Sequence, residues 1–484
     1  MEAIEFQNQL NTIDLLIKQN QIRLARKKIA DIPWSEISRH QRCLLSHVCR
    51  RAGWSLRSIR ILKNVIHPEG TLVVATESEV CSYAASLISL GARNEAKSLL
   101  KQLVQKSYPE ALLHRSFLHM QEWDYSAATY FIRRYVKTQK KGTYSYYVGL
   151  FNLASCLIVL GQSSKAWKIL EQMKFVSKQN DYIHLMHQVV RLRVQVLLQQ
   201  KQFDEALQEI VALKGQEQSI HTVSDLLLEK WRWIVEMETL PYSASMMERA
   251  SVLRMAAEKL GNWETVRDCD FHLARKIRDV PLFQKVYFGT SSIFYRNKMM
   301  SELENNSILR SVVQKTMKQR DVQTWALPLN SSSLVYRLLS FLSKETYKKF
   351  SAPELFAELY PDEYFHPQSS LARISRLIQR ARKILSEYRI PLILENSGHR
   401  ICLSSRLDHL YRIEAINPSV GSNNFYSYLQ THWKGRTFTA KQLIASVKCS
   451  RTSLFALLKQ LMDEGKIKKI GGRAVGRYIL HNHR

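Results

Sequence analysis

"LARISRLIQRARKIL", residues 371–385, decides how the last third of the chain folds. At 100° per residue, Arg373, Arg376, Arg380 and Lys383 fall within an arc of roughly 80°. Leu371, Ile374, Leu377, Ile378, Ala381, Ile384 and Leu385 cover the opposite side, so the stretch predicts an amphipathic helix. No Asp or Glu stands between Glu363 and Glu387. Like charges three and four apart cost a few tenths of a kcal/mol per pair on an isolated helix. The cationic face is either solvated at a small loss or placed for an anion.

Reading outward, Pro328 and the Ser331–Ser333 run mark a boundary and a helix cap. "SLVYRLLSFLSKETY" (333–347) and "SAPELFAELYP" (351–361) predict two helices ahead of the quoted stretch, which Ser369 or Ser370 caps. After it, "IPLILENSGHRICL" (390–403) predicts two short strands around an Asn396-Ser397-Gly398 turn. Three helices followed by a hairpin make a winged helix-turn-helix, whose third helix enters the DNA major groove. The quoted stretch and hairpin together resemble the output domain of OmpR-type response regulators over about 75 residues. Ile374, Ser375, Arg376 and Leu377 match its helix motif; Gly398 and Arg400 match its wing, with His399 where the family usually has Tyr. No phosphoacceptor receiver domain precedes the match, and of the family's N-terminal sheet "TWALPLN" supplies at most one strand. The DNA contacts expected here are Ser370, Arg373, Arg376, Arg380 and Lys383 on the helix, with His399 and Arg400 on the wing. Arg bonds guanine O6/N7 in bidentate fashion or clamps phosphate.

A second unit follows the linker "NPSVGSNN" (417–424). "FTAKQLIASVKC", capped by Thr439, and "SRTSLFALLKQLMDEGKI", opened by Ser450, predict the two helices of a helix-turn-helix; "KIKKIGGRAVGRYIL" predicts a Gly-tipped hairpin. Ser450, Ser453, Leu458, Leu461, Gly465 and Ile467 carry a texture similar to winged-helix repressors at large. Arg451, Thr452 and Ser453 open its recognition helix. Lys468, Lys469, Arg473 and Arg477 charge its wing, suited to phosphates or a narrow minor groove.

Upstream, to about residue 325, the apolar pattern is almost wholly helical in period. "AASLISLGARNEAKSLLKQL" (84–103) and "LASCLIVLGQSSKAWKILEQM" (153–173) share a Leu-Gly with Ala five residues after the Gly. "VQVLLQQKQFDEALQEIVAL" (194–213) keeps Ala206; "MQEWDYSAATYFI" (120–132) and "EKLGNWETVRDC" (258–269) are weaker copies. The anchors Ala96, Ala127, Ala166 and Ala206 are about 31, 39 and 40 residues apart. Small residues let helices cross closely and Gly ends the first of each pair. The pattern resembles the tetratricopeptide repeat family over about residues 1–290, although the spacing drifts from the usual ~34 and the first-helix Trp is absent. The resemblance implies a concave surface for a peptide or protein partner; alternatively the array spaces or dimerises the C-terminal modules. Trp231 and Trp233 lie on different helix faces, which leaves one a choice between a groove and core packing, the latter being the expected use. His114/His119 and His184/His187 read as surface or core histidines rather than ligands.

The expected fold is therefore mostly α. An N-terminal helical-hairpin (tetratricopeptide-like) solenoid (1–325) precedes two small α+β winged-helix domains (326–405 and 418–484). The charge balance is 71 Lys+Arg against 42 Asp+Glu, for +29, with roughly +14 in the last ~154 residues. Such an excess favours a polyanionic partner. The seven cysteines are scattered without CxxC or zinc spacing, and "MEAIEFQNQL" lacks a signal-peptide order. "GLFNLASCLIVLG" (149–161) is too short to span a membrane and reads as a buried helix. A cytoplasmic protein without a membrane span is expected. There is no P-loop, GxSxG, HExxH or strand-borne GxGxxG, so no enzyme and no cofactor or metal is expected. The expected function is a transcription regulator that binds double-stranded DNA, as a monomer on a bipartite site or as a homodimer. The alternatives are a scaffold resembling PCI-type subunits, in which the winged helix makes protein contacts, and RNA binding through the basic array.

Overall fold

The computed structural model describes residues 3–18, 21–68, 74–179, 183–214, 223–303, 310–311, 323–327, 329, 332–397, 400–405, 411–415, 422–433, 435–440, 442–443, 451–470 and 476–480. It is mostly helical, with many helices in a repeat-like packing and two three-stranded sheets toward the C-terminus. Contacts divide the chain into two units. One comprises Met1–Arg278 with Ser351–Ala372, the other Asp279–Phe350 with Arg373–Arg484.

In the first unit the helices are α1 (Ala3–Lys18), α2 (Ile22–Ala30), α3 (Arg39–Arg51), α4 (Ser55–Ile66), α5 (Glu77–Leu90) and α6 (Arg93–Gln105). There follow α7 (Pro109–Gln121), α8 (Tyr125–Thr138), α9 (Tyr144–Val159), α10 (Ser163–Gln179), α11 (Ile183–Gln199) and α12 (Phe203–Lys214). The last are α13 (Val223–Thr239), α14 (Ala244–Leu260) and α15 (Trp263–Ile277). Each helix packs on the next, and α1 also touches α3, α3 touches α5, α5 touches α7, α9 touches α11, and α11 touches α13. Odd-numbered helices thus form an inner layer and the even-numbered ones, as far as α12, an outer one.

The hairpins share one closure. Gly53, Gly91, Trp123, Gly161, Lys201 and Gly261 all have positive φ. The amide of the next residue bonds the carbonyl five back, as in Ala92 to Leu87 at 2.9 Å and Gln162 to Leu157 at 2.8 Å. This is the Schellman arrangement, which satisfies carbonyls that a helix end leaves open. Five residues after the first five of these turn residues sit Ser58, Ala96, Ala128, Ala166 and Ala206, each 0% exposed, whereas Val266 follows Gly261. A small side chain there lets the outer helix lie close on its neighbours. The structure corrects one anchor. In α8 the buried residue is Ala128, while Ala127 is half-buried and follows the cap Asp124, whose Oδ1 accepts its N–H at 3.0 Å. It also adds a copy around Gly53 and Ser58, legible as a Gly with a small residue five later. The apolar run at 149–161 falls in α9, with Leu150, Leu153, Ala154, Cys156, Leu157 and Ile158 buried. Trp233 is buried and donates from Nε1 to the Met246 carbonyl at 3.0 Å; Trp231 is partly buried, with Lys230 Nζ 4.1 Å from its ring centre. Six cysteines are described, all buried free thiols.

The second unit begins with α16 (Val280–Phe288), α17 (Ile293–Glu302) and β1 (Gln323–Leu327), then α18 (Leu334–Ser343) capped by Ser333, and β2 (Phe350–Ser351). Helix α19 (Ala352–Leu359) groups with the first unit, as does the first turn of α20 (Ser369–Glu387). A hairpin of β3 (Leu392–Ser397) and β4 (Arg400–Ser405) follows, then β5 (Tyr411–Ala415). The sheet order is β2-β4-β3, and β1 pairs with β5 in parallel, Trp325 opposite Ile413. A parallel pair needs a long crossover; here the segment from α18 to β4 supplies it. The strand in "TWALPLN" is therefore present, and its partner comes from beyond the hairpin. The chain ends with α21 (Ser422–Trp433), β6 (Phe438–Thr439), α22 (Arg451–Asp463), β7 (Ile467–Ile470) and β8 (Arg477–Leu480), the sheet order being β6-β8-β7. Its core joins Phe425, Tyr428, Leu429, Phe438, Leu454 and Tyr478. Sequence reasoning missed α21 altogether and placed its first three residues in a linker.

The segment Ser351–Ala372 is held on α4–α6 by specific bonds. Ser351 Oγ donates to the Leu90 carbonyl at 3.1 Å, and Asn94 Nδ2 to the Ala357 carbonyl at 2.9 Å. Buried Glu95 accepts the Phe365 N–H at 2.7 Å through one oxygen and meets His67 Nε2 at 2.9 Å through the other. The contact grouping thus runs through the stretch expected as one winged helix at 326–405, and assigns α16 and α17, inside the expected 1–325, to the second unit.

Candidate nucleic-acid interface

Helix α20 is two-faced. Ser370, Ile374, Leu377, Ile378, Ala381 and Leu385 are buried, whereas Ser375, Arg376, Gln379, Arg380, Arg382 and Lys383 are exposed. Burial at a three-to-four spacing fixes which way the cations point. Arg376 and Arg380 are exposed and make no ion pair with any described residue. Lys383 faces Glu387 at 3.8 Å, an exposed pair of little strength. Arg373 is half-buried and partnered. Ser370 departs from expectation. At 2% exposure its hydroxyl accepts the His366 N–H at 2.9 Å, so it closes the turn before α20 and presents nothing outward.

Two residues of this helix escaped sequence reasoning. Arg382 lies outside the cationic arc and donates from Nε and Nη2 to the Leu394 carbonyl at 3.1 and 2.9 Å, bracing α20 against β3. Gln379 is exposed between Arg376 and Arg380, and its amide suits the N6/N7 edge of adenine. The signal for Gln379 was only its polarity beside the arc.

On the β3–β4 hairpin, Ser397 pairs with Arg400, which is exposed; His399 lies outside the described residues. Glu395, on β3, accepts from Ser404 Oγ at 2.5 Å. Cys402 beside it has its thiol pKa raised by burial and by that carboxylate. This hairpin therefore carries mixed charge.

In the second module Thr439 and Gln442 bond each other reciprocally, while the helix expected over "FTAKQLIASVKC" lies mostly outside the described residues. The Thr439 N–H reaches Gln442 Oε1 at 2.9 Å and the Gln442 N–H reaches Thr439 Oγ1 at 3.2 Å. On α22, Leu454, Leu457, Leu458 and Leu461 face the core, and Phe455, Ala456, Lys459 and Gln460 are exposed. The side chains of Arg451, Thr452 and Ser453, and all of Arg473, lie outside the described residues. Lys468, Lys469 and Arg477 are exposed on β7 and β8, with Lys469 opposite buried Tyr478. The two modules meet within the unit where Tyr388 sits edge-on to His432 at 6.1 Å. Burial pushes the Tyr388 hydroxyl up to about 12.

The array holds a groove of about 740 Å³ between α10 and α12, floored by α11. Trp167 stacks against the guanidinium of Arg193, 4.1 Å from its ring centre, and Arg193 also bonds Glu209 and Glu171. Burial alone would raise Glu209, but hydrogen bonds from Lys174 and Arg193 hold its carboxyl below the usual range. No described helix is long and apolar enough to cross a membrane. No model of a known protein family matches the chain, and no curated protein matches it.

Proposed function

We propose that the chain is a DNA-binding transcription regulator with a tetratricopeptide-like array and two winged helices. What carries the reading is the pair Arg376 and Arg380, exposed, without ion partners among the described residues, on a helix whose other face is buried. The order of elements supports it. In each module a helix (α18, α21) leads to a short strand (β2, β6), a recognition helix (α20, α22) and a hairpin, with the short strand beside the last one. In the OmpR-like reading α20 enters the major groove and Arg376, Gln379 and Arg380 meet base edges or phosphates. Lys468, Lys469 and Arg477 then contact phosphates from the second wing. The array binds a protein partner or joins two copies of the chain.

The test is binding of the full chain to random and selected duplexes over a salt series. Neutralising about six phosphates gives a slope near −5 in log K against log[salt]. A flat response sinks the reading. The exposed Phe455 and Ala456 on α22 favour a second reading for that module alone, in which its helix docks protein and only its wing meets DNA.

A further inference from the structure

The outer layer of the array carries a charge pattern that the winged modules do not use. The helices α2, α4, α6, α8 and α10 hold 17 Lys+Arg and two acids. One acid, Glu95, is buried against His67 and Phe365. The other, Glu171, is 53% exposed at the position ten past Gly161, where it is engaged by Arg193. The inner helices α5 and α9 have no Lys or Arg at all.

The shared turn fixes where these cations point. The residue five past it is buried; at 100° per residue, positions seven, ten and fourteen past it lie roughly 140–200° away, on the outside. Arg60, Lys101, Arg133, Lys137 and Lys168 stand at such positions on α4, α6, α8 and α10, all exposed and none ion-paired with a described residue. Two aromatics share the same positions. Tyr130 is 58% exposed, with the Arg134 guanidinium 5.5 Å from its ring centre, and Phe175 is 63% exposed. The pattern stops at α12, whose first turn is acidic with Asp204 and Glu205 and whose equivalent positions hold Gln208 and Val211.

We propose that this outer face is a track for single-stranded nucleic acid, distinct from the duplex-reading modules. Cations repeated on successive helices follow a phosphate backbone, and exposed rings between them offer stacking to unpaired bases. Exposed rings beside cations also serve protein and membrane contacts, so the experiment includes polyglutamate and phosphatidylserine vesicles as competitors. Duplex DNA keeps its bases stacked inside and leaves the rings unoccupied.

The experiment measures fluorescence anisotropy of labelled 20-mers of rU and dT with the full chain. Five neutralised phosphates give a log–log salt slope near −3.5. The triple variant Lys101→Glu/Arg133→Glu/Lys168→Glu weakens binding at least ~30-fold, and Phe175→Ala weakens it about 5- to 10-fold. Arg376→Ala/Arg380→Ala leaves 20-mer binding within about two-fold, so failure of the regulator reading and of this one are separable. Tighter binding of rU than dT assigns the track to RNA, and the reverse assigns it to single-stranded DNA. The proposal is overturned if the triple variant and Phe175→Ala bind like the parent chain. Equal competition by polyglutamate or by phosphatidylserine vesicles overturns it too, as does loss of 20-mer binding in the Arg376/Arg380 variant.

Discussion

Arg382 grips the carbonyl of Leu394 with two nitrogens, at 3.1 and 2.9 Å, and so joins the cationic helix to the first strand of the hairpin that follows it. Removing a hydrogen bond from a charged donor costs about 1.5–3 kcal/mol when buried. Arg382 is exposed, so Arg382→Ala is expected to cost about 1 kcal/mol. Arg382→Lys recovers part of it, because an ammonium reaches the same oxygen with one bond. Urea unfolding measures the loss, and faster amide exchange in β3 locates it.

The base-reading role predicts a different signature for its neighbour. Arg376→Ala is expected to weaken binding to the preferred duplex by ~1–3 kcal/mol and to relax preference at one base pair. A uniform loss on every sequence makes Arg376 a phosphate contact instead. Competition titrations over a randomised site distinguish the two.

Two glycines share a turn and differ in what surrounds them. Gly91 and Gly161 have φ of +84 and +72, but a Cβ at Gly91 would meet Glu354 Cγ at 2.0 Å, and one at Gly161 meets nothing within 4 Å. Gly161→Ala is expected to cost ~1 kcal/mol from backbone strain alone. Gly91→Ala is expected to cost roughly 2–4 kcal/mol, since Glu354 and its cap on Ser351 must also move. Denaturant midpoints at equal slope give both numbers. Equal losses would show that α19 is not seated on this turn.

Lys201 takes the same left-handed conformation at φ +60 without the freedom of glycine. It is exposed, so Lys201→Gly relieves strain and removes no packing. A gain of about 0.5–1 kcal/mol is expected after the entropy lost by a glycine on folding. A thermal melt of the variant reads it.

His114 predicts a pH dependence. Burial, and then Arg50 and His47, push its pKa down to about 3, below the ordinary histidine value near 6.5. Between those values the unfolded chain binds the extra proton, so stability rises with pH across this window and falls as the solution is acidified. His114→Gln is expected to lower that slope by up to ~1.4 kcal/mol per pH unit inside the window. Stability curves at pH 4, 5 and 7 measure it.

Local patterns sufficed for much of the architecture. The period of the apolar residues placed the helices, and a Gly followed five residues later by Ala marked the hairpins at Gly91 and Gly161, because Gly takes the positive φ without strain and Ala lets the next helix lie close. The amphipathic pattern of 371–385 likewise placed Arg376 and Arg380 on the surface. The shift from Ala127 to Ala128 was not legible, since Trp123 at the turn looks nothing like glycine.

Neighbours within a turn or two specified the helix periods, caps such as Ser333 and Ser351 and the C-terminal hairpins, and composition the excess of positive charge. Contacts between residues far apart along the chain emerged only on folding. Asn94 and Ala357, Glu95 and Phe365, and the parallel strands at Gln323–Leu327 and Tyr411–Ala415 leave no periodic trace, because their pairing is made by folding. The same holds for charge. The cations at Arg60, Lys101, Arg133 and Lys168 are scattered in sequence and become one outer face only when successive hairpins stack.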